Sequence, residues 1–321
     1  MKRTIALALT LVVALTFGLA GCSATGSKTP SAGEPTVKEG PVVRVGSFLD
    51  SEGAVLGAMM IQLLDANGIQ TEDKTKLGTP DVLRKALLEG QIDLSIDYTG
   101  SGQYYHEGQE GDPVWSSAAD GYARIAELDK AVGLTWLTPA NANNTELLAT
   151  TKKLAEAEGL KTMDDFAAYV NAGKTVKIIG AQEWIDSELG LAGFEKAYGF
   201  KLTEDQLIGL SHGVTAEMLS ALANGTDGVN FSLAYGTDGQ LDDLGLVILE
   251  DTKGVPPVYE PAPVIRTETL DAYPEIADIL KPLFESFDLA TLQDLNRRVA
   301  LGGEDAKAVA EEYLTQNGFL K

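Results

Sequence analysis

Gly209-Leu210-Ser211-His212-Gly213 matches the G-x-S-x-G elbow, in which a tight strand-to-helix turn presents a nucleophilic serine for acyl transfer. The elbow needs a histidine base well downstream of the serine. No histidine follows His212, and His106 lies upstream, so the triad order cannot be completed. A surface hydrolase using Ser211 stands only as a minor alternative with an unfamiliar base. His106 sits among Glu107, Glu110 and Asp112, a set that could hold a metal weakly but reads more simply as a solvated loop. Cys22 is the single cysteine, so no disulfide and no thiolate metal site is expected. The chain carries no Walker A sequence and no G-x-G-x-x-G after a strand, and no cofactor is expected.

What remains is a set of tyrosines in turn-like settings beside small and acidic residues. Tyr98 follows Asp97 and precedes Thr99-Gly100-Ser101 at the end of an alternating strand. Tyr235 opens Tyr235-Gly236-Thr237-Asp238-Gly239 just past another strand, and Tyr259 lies in Pro256-Pro257-Val258-Tyr259-Glu260-Pro261. Strand ends are where an open α/β sheet forms its ligand crevice. Singly, each is an ordinary half-buried tyrosine. Together they suggest an electron-rich box for a cation.

The elements that must position these rings alternate between strand and helix. Val42 to Val45 forms a first strand, and Glu52 to Asn67 a helix whose inner face carries Val55, Met59, Leu63, Leu56, Met60 and Leu64. A strand near Gln70 to Leu77 and a helix from Pro80 to Gly90 follow. Then comes a strand in which Ile92, Leu94 and Ile96 alternate with Asp93, Ser95 and Asp97. Thr162-Met163-Asp164-Asp165 resembles a capping box opening a helix to about Ala172. Further strands are expected at Val176 to Ile179, Gln206 to Leu210 and Leu246 to Leu249, and helices at Glu188 to Tyr198 and Thr215 to Ala223. The tail reads as three helices, Pro274 to Phe287, Ala290 to Ala300 and Asp305 to Asn317. This rhythm predicts an α/β fold with largely parallel sheets.

The 321-residue chain has 47 acidic and 25 basic residues, a formal charge of -22 without a basic cluster, which argues against nucleic-acid binding. Lys2-Arg3, an apolar run from Ile5 to Leu19 and Leu19-Ala20-Gly21-Cys22 read as a lipoprotein signal ending at a lipidated cysteine. The apolar run is shorter than the roughly 20 residues of a spanning helix. The mature chain is therefore expected outside the cytoplasm, anchored to a membrane by lipid. Residues 1–22 form the signal and 23–41 a flexible tether rich in Ser, Thr, Gly, Pro and Lys.

Several stretches taken in order resemble the substrate-binding proteins of osmoprotectant ABC importers. They are Val45-Gly46-Ser47, Asp50-Ser51-Glu52-Gly53-Ala54, Asp97-Tyr98-Thr99-Gly100, Trp136-Leu137-Thr138-Pro139-Ala140, Asn143-Asn144-Thr145, Ala234-Tyr235-Gly236-Thr237-Asp238-Gly239 and Pro261-Ala262-Pro263-Val264. These proteins bind glycine betaine, choline and carnitine, and the likeness is greatest to their OsmF-like branch. The resemblance implies a type II periplasmic-binding-protein fold: two α/β lobes, a two-stranded hinge, and a ligand cleft between. The first lobe would take 42–142 plus 245–321 and the second 143–244. It implies a cage of Tyr98, Tyr235 and Tyr259, polar contacts from Ser101 and Asn144, and further ligand-binding positions at Asp50, Glu52, Glu146, Thr237 and Asp238. It also implies an ABC permease and its ATPase as partners, and no enzymatic activity. A binding protein for another small cation or an amino acid is the alternative within the class. Two positions depart from the relatives: Glu146 replaces an aromatic residue, and Ser187 in Glu183-Trp184-Ile185-Asp186-Ser187-Glu188-Leu189-Gly190 replaces an arginine that would grip a ligand carboxylate. Both favour a net cation.

Overall fold

A computed structural model describes residues 38–211 and 215–320. The lipobox with Cys22, most of the expected tether, and His212 lie outside the described residues. The chain runs β1 (Val43–Phe48), α1 (Ser51–Ala66), β2 (Thr71–Gly78), α2 (Pro80–Leu88), β3 (Leu94–Tyr98), α3 (Gly102–Tyr105), α4 (Ala118–Lys130) and β4 (Leu134–Trp136). It continues as β5 (Glu146–Thr151), α5 (Lys152–Glu158), α6 (Met163–Asn171), β6 (Ile178–Ala181), α7 (Gln182–Asp186), α8 (Leu191–Tyr198), β7 (Leu207–Leu210), α9 (Thr215–Asn224), β8 (Phe231–Tyr235) and β9 (Leu246–Leu249). It closes with β10 (Pro261–Arg266), α10 (Thr267–Ala272), α11 (Glu275–Glu285), α12 (Leu289–Ala300) and α13 (Ala306–Gln316).

Two five-stranded sheets result, in the orders β2-β1-β3-β10-β4 and β7-β6-β8-β5-β9, each at the centre of its own apolar core. The expectation of largely parallel sheets is corrected. β1 pairs in parallel with β2 and β3, and β6 with β7 and β8, but β10 and β5 pair antiparallel with both of their neighbours. These two are the strands that enter each sheet directly after the chain has crossed from the other lobe. They need no crossover helix and run against the rest.

The chain crosses between cores twice, after Ala142 and again between Val255 and Ala262. The expected return at residue 245 is too early: β9 pairs with β5, and Leu246 and Leu249 are buried in the second core. The crossings are tied together. Asn144 N donates to Tyr259 O at 2.9 Å, Tyr259 N to Asn143 Oδ1 at 2.8 Å, and Thr145 Oγ1 to Pro257 O at 2.7 Å.

α1 is apolar over most of its circumference because it is sandwiched between β1 and β2 on one side and the tail helices α11, α12 and α13 on the other. β3 is likewise buried on both faces, so its alternating polar residues are not a solvent face. Asp93 instead takes Arg44 through Nε at 2.7 Å and Nη2 at 2.6 Å. The expected helix from Glu188 is shorter and is preceded by α7. Ser187 adopts extended backbone and its hydroxyl accepts from Leu189 N at 3.1 Å, a local bond that competes with helix continuation. The last residues of the expected tether are held rather than free: Lys38 N donates to Gly68 O at 2.8 Å and Tyr273 Oη to Pro41 O at 3.0 Å. Among the described residues no helix is long and apolar enough to cross a membrane.

Candidate ligand-binding site

Tyr98 ends β3, Tyr235 ends β8 and Tyr259 lies in the second crossing, so one ring comes from each lobe and one from the hinge. All three are half-buried. Tyr98 stacks on Phe48, at the end of β1, with centroids 5.6 Å apart and planes 7° from parallel. Its hydroxyl donates to Glu52 Oε1 at 2.7 Å. Tyr259 packs against the Thr99-Gly100-Ser101 turn so closely that a Cβ on Gly100 would stand 2.8 Å from Val258 O and 2.9 Å from the Tyr259 ring. The Tyr259 hydroxyl accepts from Gln103 Nε2 at 3.0 Å and faces the hydroxyl of Tyr104. Tyr235 is directly opposite Glu146 in the β5–β8 ladder, and its hydroxyl lies 3.4 Å from Glu146 Oε1.

The strongest charged neighbours of these rings are carboxylates. Burial holds each phenol above its ordinary pKa, and Glu52 and Asp50 raise Tyr98 further, as Glu146 does Tyr235 and Tyr259. Burial, reinforced by Glu183, pushes Glu146 up to about 7, against the opposing pull of the Tyr235 hydroxyl. The rings therefore remain neutral phenols with intact π-faces, next to an acid that ionises near neutrality. Such a surface attracts cations and repels anions.

The other expected ligand positions are largely committed within the protein. Asp50 caps α1, accepting from Gly53 N at 2.6 Å. Glu52 is 5% exposed and is taken by Tyr98 and by Asn296 Nδ2 at 2.7 Å. Asn144 Oδ1 accepts from Thr237 N at 3.2 Å. Asp238 closes its own turn, accepting from Tyr235 N at 2.7 Å and from Thr215 Oγ1 at 2.7 Å, while burial pushes it up to about 6. Ser101 is buried beside Asp97 and Tyr105.

Sequence reasoning did not find Tyr104, whose ring is 60% exposed beside Tyr259 and feels Glu146, Glu110 and Glu183. It follows Gln103 on a helix of four residues and carries no pattern of its own. Nor did it find Asn296, which reaches Glu52 from 244 residues away. His106 belongs to a different group from the acidic loop around it: its Nε2 lies 2.7 Å from the buried Asp129, which also holds Arg84 and Trp136 Nε1. Among the described residues no cluster suits a metal ion. Ser211 is exposed just after β7.

Comparison with known proteins agrees with this architecture. The family described as the substrate binding domain of ABC-type glycine betaine transport system matches residues 41–316. The glycine betaine-binding protein YehZ of Escherichia coli is 45% identical over 280 residues, covering 87% of this chain and 92% of that protein. The glycine-betaine-binding protein of Pseudomonas aeruginosa is 32% identical over 286 residues, covering 87% and 88%. The solved structure of apo YehZ from Escherichia coli superposes with a TM-score of 0.76 over 87% of this chain and 100% of that one, at 44% identity. The two lobes, paired crossings and mixed sheets are thus those of a type II periplasmic-binding-protein fold, and the protein is not an enzyme. From its match over most of its length and from these relatives, the chain belongs to the substrate-binding domains of ABC-type glycine betaine transport systems.

Proposed function

We propose that this substrate-binding protein captures a quaternary amine between its lobes, with Tyr98, Tyr235 and Tyr259 as an aromatic cage and Glu146 as an acidic wall. It delivers the amine to a membrane permease driven by its ATPase, working outside the cytoplasm from a lipid anchor on Cys22. The observation that carries the reading is that the Tyr235 and Tyr259 phenols share Glu146 as a charged neighbour, while Tyr98, at the other strand end, has Glu52 and Asp50 beside it. One cation–π contact contributes about 0.5–2 kcal/mol, whereas micromolar binding needs about 8 kcal/mol. Several rings and lobe closure must therefore act together.

The names of the relatives point to glycine betaine, a zwitterion. Glu146 and the serine at position 187 favour instead a cation without a carboxylate, such as choline. Ser187 spends its hydroxyl on Leu189 N, and its stretch supplies Glu183 as a further negative charge acting on Glu146. A thermal-shift screen of the protein against choline, glycine betaine, carnitine and amino acids tests the class. Stabilisation by quaternary amines is expected; stabilisation by amino acids alone would overturn the reading.

A further inference from the structure

The lobes touch at a place other than the hinge. The turn after β8 rests on α12 of the first lobe, with Gln293 Nε2 donating to Gly236 O and Asn296 Nδ2 to Thr237 O, both at 2.9 Å. The approach leaves no room for a side chain at the end of the turn: a Cβ on Gly239 would stand 2.3 Å from Arg297 N and 2.4 Å from Gln293 O. Asn296 Nδ2 also donates to Glu52 Oε2, and the Thr237 hydroxyl bonds to the same carboxylate. The remaining oxygen of Glu52 holds the Tyr98 hydroxyl. Glu52, Asn296 and Thr237 are 5%, 8% and 2% exposed.

A carboxylate buried to this degree is tolerated only with its hydrogen bonds made. Here they come from three places: the cage ring Tyr98, helix α12, and the turn of the opposite lobe. The Asn296 amide is oriented by the same demand, since both of its contacts use Nδ2 while its buried Oδ1 has no hydrogen-bond partner among the described residues. Moving the second lobe away would take Thr237 from both Asn296 and Glu52 at once. The carboxylate would then be left to Tyr98 and a loosened Asn296.

We propose that Glu52 is a positioning residue which couples the Tyr98 ring to the docking of the Gly236–Gly239 turn on α12, so that ring placement and lobe closure depend on one buried carboxylate. The coupling to ligand rests on the cage reading of Tyr98; the coupling to closure does not. Two readouts therefore test it separately on Glu52→Leu, Asn296→Leu, the milder Thr237→Val, and Glu52→Gln. In solution scattering, the first three should show a larger ligand-free radius of gyration than the wild type. In stopped-flow measurements with choline, they should bind about tenfold more weakly, the worth of about one hydrogen bond to a charged group, chiefly through faster dissociation. Glu52→Gln, which keeps the shape and can still accept from Asn296, should recover most of the loss seen in Glu52→Leu. Folded variants with a lowered melting temperature but unchanged radius and unchanged choline dissociation would overturn the proposal. Should Glu52→Leu fail to fold, Thr237→Val and Asn296→Leu carry the same two outcomes. A wild type that binds no quaternary amine removes the cage reading alone, and the scattering comparison still decides the latch.

Discussion

On the proposed reading, Glu146 is the residue on which ligand choice turns. Its carboxyl is held at about 7, above the usual carboxylate range, by burial and by Glu183. Below that pH it is neutral, and above it the site gains a negative charge beside Tyr235. Choline affinity should therefore rise from pH 6 to pH 8, and Glu146→Gln should flatten the profile in calorimetry. The effect on folding has the opposite sign. A carboxyl whose folded pKa is raised binds its proton more tightly in the native state, so its contribution to stability is present at low pH and is lost as pH rises through about 7. Denaturation of the ligand-free protein at pH 5 and pH 8 should show that loss, with Asp238, also raised to about 6, contributing in the same direction. Among the rings, Tyr98→Ala, Tyr235→Ala and Tyr259→Ala should each weaken choline binding by about 2- to 30-fold, the equivalent of 0.5–2 kcal/mol per cation–π contact. Calorimetric constants indistinguishable from the wild type in all three would remove the cage.

Among the elements, α6 offers a test of local design. Thr162 and Asp165 form a reciprocal capping box, with Asp165 N on Thr162 Oγ1 at 3.2 Å and Thr162 N on Asp165 Oδ2 at 3.0 Å. Thr162→Ala should cost about 1 kcal/mol in urea denaturation while leaving ligand affinity unchanged. That helix start was legible in four consecutive residues because a cap is a local interaction. So was α1, whose Val55, Leu56, Met59, Met60, Leu63 and Leu64 are all buried. Elements defined by distant partners were not. The alternation in β3 marks a strand but not what surrounds it: Asp93, Ser95 and Asp97 are buried because helices and loops cover both faces of a central strand. The family resemblance puts β9 in the first lobe, and only its pairing with β5 assigns it to the second. The tyrosines were visible because each sits in a short run of small and acidic residues. Their hydrogen-bonding partners were not: Gln103 meets Tyr259 from 156 residues away, a separation that no local pattern encodes.

The whole molecule is two cores joined by two hydrogen-bonded crossings and a docked turn, an arrangement suited to closing on a small solute and presenting the closed form to a membrane partner. If the anchor is lipid on Cys22, then Cys22→Ser should leave the membrane fraction or persist as an unprocessed precursor. A wild type recovered as soluble protein without lipid would contradict the anchor. The central claim, a cage whose acidic wall selects a carboxylate-free cation, is tested most directly by titration calorimetry of choline and glycine betaine on the wild type and on Glu146→Tyr. The account predicts that the wild type prefers choline and that the preference shrinks or reverses in the variant, where a ring replaces the charge. Equal or tighter binding of glycine betaine by the wild type would contradict it.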